Sequence, residues 1–306
     1  MATLSSQTRR APWLFLLPFL AVFATFTLYP LIRAMMLAGQ QTFGPGYTKW
    51  VGGSNFAALM NDALFWTALK NTVVFTLGSV FVQLPVSLAM AMMLEAKGLR
   101  GKGVYRAILF APSLVGVSFA AVLFALMFEK RTGLVNQGLH GATAWLSLLS
   151  GKDLAWSLDF GWLEQHVMAA LIVAALWMYA GFNMLFFSAA LQNIRQDIKE
   201  AATVDGAGPV ARFFHVTVPA IRPVAAFVVL LSIIGSFQLF ELPYLMLNGG
   251  AGPNNRGLTV VMYLYQVGFE TGDLGYASAI GWTLTLILLG FTIAQRMTAR
   301  GEEVAR

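Results

Sequence analysis

Side chains able to do chemistry are scarce in this chain, and those that stand in a pattern fall into two groups. The first is Glu200-Ala201-Ala202-Thr203-Val204-Asp205-Gly206-Ala207-Gly208, running on to Val216-Thr217-Val218-Pro219. It is polar, breaks at glycines, and lies in a gap between apolar runs that is too short for a folded domain. The pattern predicts a short helix, a tight turn with positive φ at Gly206 and Gly208, and a second short helix opened by Pro209. Ile194, Ile198, Ala201 and Ala202 share one helical face, and Phe213, Phe214 and Val216 follow. Apolar faces on a short exposed elbow need a partner surface, so the chemistry implied is mechanical: a soluble partner can push here.

The second group lies inside apolar runs. Trp177, Tyr179, Phe182 and Asn183 stand in one run, and Ser232, Ser236, Gln238 and Glu241 in the next. Aromatic faces against C–H surfaces, with hydroxyl and amide hydrogen bonds, suit a sugar. Ser232 and Ser236 are four apart and share a helical face. Alternatives stay open. The serines also suit interhelical hydrogen bonding, and Trp177 and Phe182 suit bundle packing. Glu241, in Phe240-Glu241-Leu242-Pro243, is the one ionisable residue inside a predicted span. Pro243 distorts that helix, so Glu241 either lines a wet cavity in a substrate or gating role or pairs locally at the interface. Ala277 and Gly281, at small-x-x-x-small spacing, predict a packing face.

Other chemistry is excluded. With no cysteine there is neither disulfide, thiolate metal site nor Cys nucleophile. Gly98-Leu99-Arg100-Gly101-Lys102-Gly103 lacks the spacing and hydroxyl of a phosphate loop. His140, His166 and His215 are scattered in loops and span ends, without metal-ligand spacing. No nucleophile elbow or paired intramembrane carboxylates occur, so an integral membrane enzyme is the weaker alternative. An ion-coupled secondary carrier would want charges at mid-depth, whereas Arg33, Glu95 and Glu129 sit at span ends.

The elements that must position these residues are membrane helices. Of the 306 residues 58% are hydrophobic and 11% charged, against about 25% charged in soluble domains. The net charge of +6 does not indicate nucleic acid, because the basic residues lie in loops as topology signals. Six runs are long enough to span: approximately 13–37, 69–94, 105–127, 167–191, 223–247 and 274–294, with a loop at 192–222. The first follows Arg9 and Arg10 but outruns a signal-peptide core, which predicts a retained signal anchor. Arg9, Arg10, Lys97, Arg100, Lys102, Arg106, Arg195, Lys199, Arg212, Arg222, Arg296, Arg300 and Arg306 fall on one side. Seven basic residues, including Lys130, Lys152 and Arg256, fall on the other. The bias puts both termini and the Glu200 loop in the cytoplasm. Trp13, Trp66 and Trp162 fall at span edges. Outside, 38–68 and 128–166 have room for surface helices, the second reading as an interfacial amphipathic segment. The stretch Asn248–Asn255 is turn chemistry, and Leu258–Phe269 reads as a short re-entrant or surface helix.

The spacing of the elbow carries a resemblance. Glu200-Ala201-Ala202, Gly206 three residues on, and Val216-Thr217-Val218-Pro219 after nine more resemble the loop of permease subunits of bacterial ATP-binding-cassette importers of the carbohydrate class. There the pattern is Glu-Ala-Ala, three residues, Gly, nine residues, Ile-x-Leu-Pro; Val replaces both large aliphatics here. Lys70-Asn71-Thr72, Leu99-Arg100-Gly101, Tyr105-Arg106, Asn248-Gly249-Gly250 and Gly275-Tyr276-Ala277-Ser278-Ala279-Ile280 agree as well. The resemblance implies an all-α, six-span inner-membrane permease as a single domain over 1–306, with both termini cytoplasmic and a coupling helix between spans four and five. It implies that Glu200, Ala201, Ala202, Asp205, Gly206, Ala207, Gly208 and Pro219 meet an ATPase subunit, Glu200 facing a basic group. Implied partners are a second permease subunit, two ATPases carrying ATP and Mg, and an extracytoplasmic sugar-binding protein. No cofactor is implied in this chain.

Overall fold

A backbone in hydrocarbon must satisfy its own N–H and C=O groups, so the apolar runs fold as helices. The computed structural model describes residues 6–42, 48–96, 98–151 and 156–304, with side chains from 15 to 297 within those ranges. Lys97, Lys152 and Arg306, and the side chains of Arg9, Arg10, Trp13 and Arg300, lie outside them. In order the elements are α1 (6–38), β1 (Gln40–Thr42), β2 (Thr48–Trp50), α2 (Ser54–Met60) and α3 (Ala63–Leu94). Then come α4 (Lys102–Leu114), α5 (Val117–Met127), α6 (Leu134–Ser150), α7 (Val167–Gln192) and α8 (Gln196–Val204). The chain ends with α9 (Pro209–Phe237), α10 (Glu241–Met246), α11 (260–270) and α12 (Leu274–Val304).

Among the described residues, five helices are long and apolar enough to cross a membrane, in α1, α3, α7, α9 and α12. The predicted straight span at 105–127 is instead a bent pair, α4 and α5, at 92° to each other, which makes a sixth only if counted as one span. Pro112 lies in a 3-10 turn there, and Val115 (ψ 128°) and Gly116 (ψ 142°) are extended, so the helical ladder is interrupted. The predicted span at 223–247 also differs. Its helix starts at Pro209 and stops at Phe237. Pro243 has no N–H to donate to the carbonyl four residues back, Leu239. That carbonyl accepts from Thr259 Oγ1 at 2.6 Å instead, and the chain restarts as α10. The short antiparallel hairpin β1–β2 was not expected in an all-α chain.

Three prolines inside long helices share a device. π turns at Ala24–Leu28, Ser79–Gln83 and Phe213–Thr217 stand two residues before Pro30, Pro85 and Pro219. A proline ring collides with the carbonyl at i−4, and the wider π turn moves that carbonyl aside. The helices therefore bend their side-chain register without breaking.

The chain divides into two compact units. One runs to Asp62 and takes up Leu264–Ile287. Here Asn55, 7% exposed, donates to the carbonyls of Ala38 and Gln40 at 2.9 and 2.8 Å and fixes the helix–hairpin join. Gly275 admits the Gln40 carbonyl where a Cβ would lie 1.8 Å from it. Ala277 and Gly281 do form a packing face, against Gly268 and Leu264.

The second unit holds Ala63–Tyr263 and the chain from Leu288. Its core has one layer around Phe75, Phe124, Leu171, Met178 and Met246 and another around Leu84, Met184, Phe187 and Val228. Ala120, Ala121, Ala170 and Ala174 are fully buried and let helices approach closely. Asn71 donates to the carbonyls of Asn255 and Leu258 at 2.9 and 3.0 Å, and Thr72 Oγ1 accepts from Val260 N–H. The Lys70-Asn71-Thr72 signature thus pins the 248–258 turn. Leu258, Val260 and Met262 are buried, so this stretch is not a surface helix. Trp162 lies in an aromatic cluster with Phe128, Trp156 and Phe160 and donates to Asn136 Oδ1 at 2.8 Å. It is an anchor of the 128–166 segment rather than a bare interface residue.

Candidate functional site

Two places in the second unit gather the chemistry-bearing residues. The first is a cavity of about 350 Å3 between α3, α7, the end of α9 and α10. Of the eight residues proposed from sequence, seven line it: Tyr179, Phe182, Asn183, Ser232, Ser236, Gln238 and Glu241. Trp177 does not; it sets its ring edge-on to Phe124 at 5.5 Å, as bundle packing.

The break after Phe237 makes this geometry. It leaves Gln238 at the helix end, with its N–H on Ile234 O, and puts Glu241 in the first turn of α10, where a carboxylate is favoured by the helix dipole. Glu241 accepts a hydrogen bond from Ser118 at the start of α5. Ser232 meets Ser79 across the helices at 3.5 Å, whereas the hydroxyl of Ser236, a residue 4% exposed, has no hydrogen-bond partner among the described residues. The serines are therefore split: Ser232 is shared between helices, and Ser236 faces the cavity.

Sequence reasoning missed the α3 contribution. Phe75, Ser79 and Gln83 also line the cavity. The signal was legible: Ser79, Gln83 and Ser87 recur every fourth residue in an apolar run, which marks one polar stripe. The π turn at Ser79–Gln83 sits in that stripe, a deformation found often at functional sites.

The second place is the elbow. α8 ends in a Schellman motif, with Gly206 N–H on Thr203 O at 3.1 Å and Ala207 N–H on Ala202 O at 2.9 Å. Gly206 has φ +75°, as predicted, but Gly208 does not: it is extended at φ −67°, ψ 169°. A residue before proline is driven there by the ring of Pro209. The second short helix is not separate either, since it runs through the π turn and Pro219 into α9. Ile194 is buried, while Ile198, Val204, Val210 and Phe214 are 47, 87, 71 and 60% exposed. Glu200 is exposed and accepts from Gln196 Nε2 at 2.9 Å; Ala201 and Asp205 are exposed, and Ala202 and Ala207 half-buried. Arg212 donates to Thr203 Oγ1 at 3.1 Å and holds the two arms of the bend. No cluster of metal-ligating side chains occurs among the described residues.

The geometry has counterparts. The chain is 36% identical to the arabinooligosaccharides transport system permease protein of Bacillus subtilis, over 92% of this chain and 86% of that one. It is 34% identical to the lactose transport system permease protein of Rhizobium radiobacter, over 94% and 93%, and 32% identical to the sn-glycerol-3-phosphate transport system permease protein of Yersinia enterocolitica, over 93% and 92%. Its fold matches a chain of a bacterial ABC transporter involved in the import of the acidic polysaccharide alginate, with TM-score 0.79, 22% identity and 96% of each chain covered. Residues 83–301, which carry the elbow and most of the cavity lining, match the family of binding-protein-dependent transport system inner membrane components, and the chain belongs to that family as a transport permease.

Proposed function

We propose that this chain is one half of the transmembrane pathway of an ATP-driven importer of a sugar or sugar-like solute, with the solute passing along the cavity and the force entering at the elbow. The single observation that carries the reading is the convergence of seven sequence-selected polar and aromatic residues on one cavity, in a chain whose relatives include permeases named for arabinooligosaccharides and lactose. Tyr179 and Phe182, 40 and 44% exposed, offer ring faces on the open side, where a second permease subunit would complete the path. Six spans with both termini cytoplasmic fit the distribution of Lys and Arg, taking α4 and α5 as one broken span. Two ATPases binding ATP and Mg, and an extracytoplasmic binding protein, complete the assembly in the inner membrane.

In this reading the exposed apolar set on α8 and the start of α9 seats in the ATPase, and Glu200 meets a basic group there. Because α9 is continuous from Pro209 to Phe237, displacement of the elbow moves the helix that carries Ser232 and Ser236 as a near-rigid body. The test is the reconstituted importer in lipid with Gly206→Pro and, separately, Glu200→Lys. Proline cannot adopt φ +75° and loses the N–H bonded to Thr203, so the elbow is strained by about 1–3 kcal/mol. Both variants should insert and lose at least about tenfold in uptake. An assembled variant that transports normally removes the coupling role from that residue.

A further inference from the structure

The cavity holds a second row of polar groups that neither the elbow nor the span-five face explains. Gln83 is 4% exposed and Asn183 8%, both line the cavity, and neither side-chain amide has a hydrogen-bond partner among the described residues. Ser236 is in the same state. These amides and the Ser236 hydroxyl are not among the sealed, partnerless polar atoms of the described residues, which are Arg106 Nε and Ser188 Oγ; they open onto the cavity, and three such groups around one space suit contents that hydrogen-bond. The apolar walls, Phe75, Tyr179, Phe182 and Phe240, offer ring faces to C–H surfaces. Glu241 is the one acidic residue among the lining residues, and no Lys, Arg or His is among them.

We infer that Gln83 of α3 is a solute-contacting residue of the pathway, acting with Asn183 and Ser236, and that this half of the cavity selects uncharged polyhydroxylated solutes over acidic ones. The inference rests on the function proposed above. The Gln83 amide donates to one hydroxyl and accepts from its neighbour, which a carboxylate on the solute could do only in part. An anionic sugar would also meet the Glu241 carboxylate with no cation on these walls to offset it. The π turn before Pro85 presents Ser79 and Gln83 together toward this space.

The absence of cysteine makes the test direct. Gln83→Cys and Ser236→Cys are placed singly in the complete importer in lipid vesicles and modified with a small water-soluble methanethiosulfonate. Arabinotriose or trigalacturonate is added to both faces at equal concentration. Arabinotriose should slow modification of both cysteines at least about threefold, while trigalacturonate leaves Gln83→Cys within about twofold of its unprotected rate. Protection by both sugars alike overturns the selectivity. Protection of Ser236→Cys without Gln83→Cys overturns the role of Gln83 and leaves the pathway reading intact. Protection of neither cysteine by arabinotriose overturns both. In the uptake assay Gln83→Leu should raise half-saturation for arabinotriose about two- to tenfold, the worth of one neutral hydrogen bond. Gln83→Asn, which keeps the amide, should recover part of that loss.

Discussion

Gly181 sits on α7 between Tyr179 and Asn183, with its back to the bent pair α4–α5. A Cβ there would lie 1.9 Å from the Leu109 carbonyl oxygen, 2.7 Å from its carbon and 3.0 Å from Phe110 Cα. Ordinary contact needs about 3.4 Å or more between such atoms. The Gly181→Ala variant must therefore part α7 from α4 by more than an ångström, and the obstacle is backbone, which cannot rotate away. Overpacking of this kind costs about 1–3 kcal/mol, and an immovable neighbour puts the cost near the upper end. On the scale of soluble domains, about 2–4 °C per kcal/mol, the melting midpoint should fall by about 6–12 °C. Gly235→Ala is the control. It lines the cavity but meets nothing within 4 Å, and alanine is the better helix former by up to about 1 kcal/mol. Its midpoint should stay level or rise. The assay is thermal unfolding of both variants in one detergent, followed by tryptophan fluorescence, with uptake in vesicles alongside. A Gly181→Ala protein that melts with the wild type, or below which Gly235→Ala falls, would refute the claim that α7 and α4 touch through their backbones here.

Asn136, fully buried, accepts from the indoles of Trp156 and Trp162 and donates to the carbonyls of Leu158 and Phe160. Asn136→Ala strands four polar groups at about 1–3 kcal/mol for each that stays dry, so limited proteolysis should cut 128–166 first while the spans remain intact; unchanged resistance would contradict the anchoring role. On topology, Ala207→Cys should react with a membrane-impermeant maleimide only from the cytoplasmic face and Asn254→Cys only from outside. Reaction of both from one face would sink the proposed six-span arrangement.

The hydropathy pattern determined the class of this protein and located four of its long apolar helices, at 13–37, 69–94, 167–191 and 274–294, because transfer of about 20 apolar side chains outweighs local detail. It also determined the elbow's turn at Gly206, since only a residue without Cβ takes φ +75° at no cost, and it picked the polar residues of α7 and α9. The polar stripe of α3 was present as spacing and needed only to be read. What the pattern left undecided was where helices stop. Pro112 breaks its helix and Pro219 does not, though each is a proline in an apolar run; the outcome depends on whether a π turn can move the obstructed carbonyl and whether a distant group, as Thr259 does for Leu239, takes the freed oxygen. Those are choices made between elements far apart in sequence, and only the tertiary structure holds both partners. The break at Gln238 turns Glu241 into the cavity, and the same packing sends Trp177 out of it to Phe124, a distinction that residue type and spacing alone cannot draw.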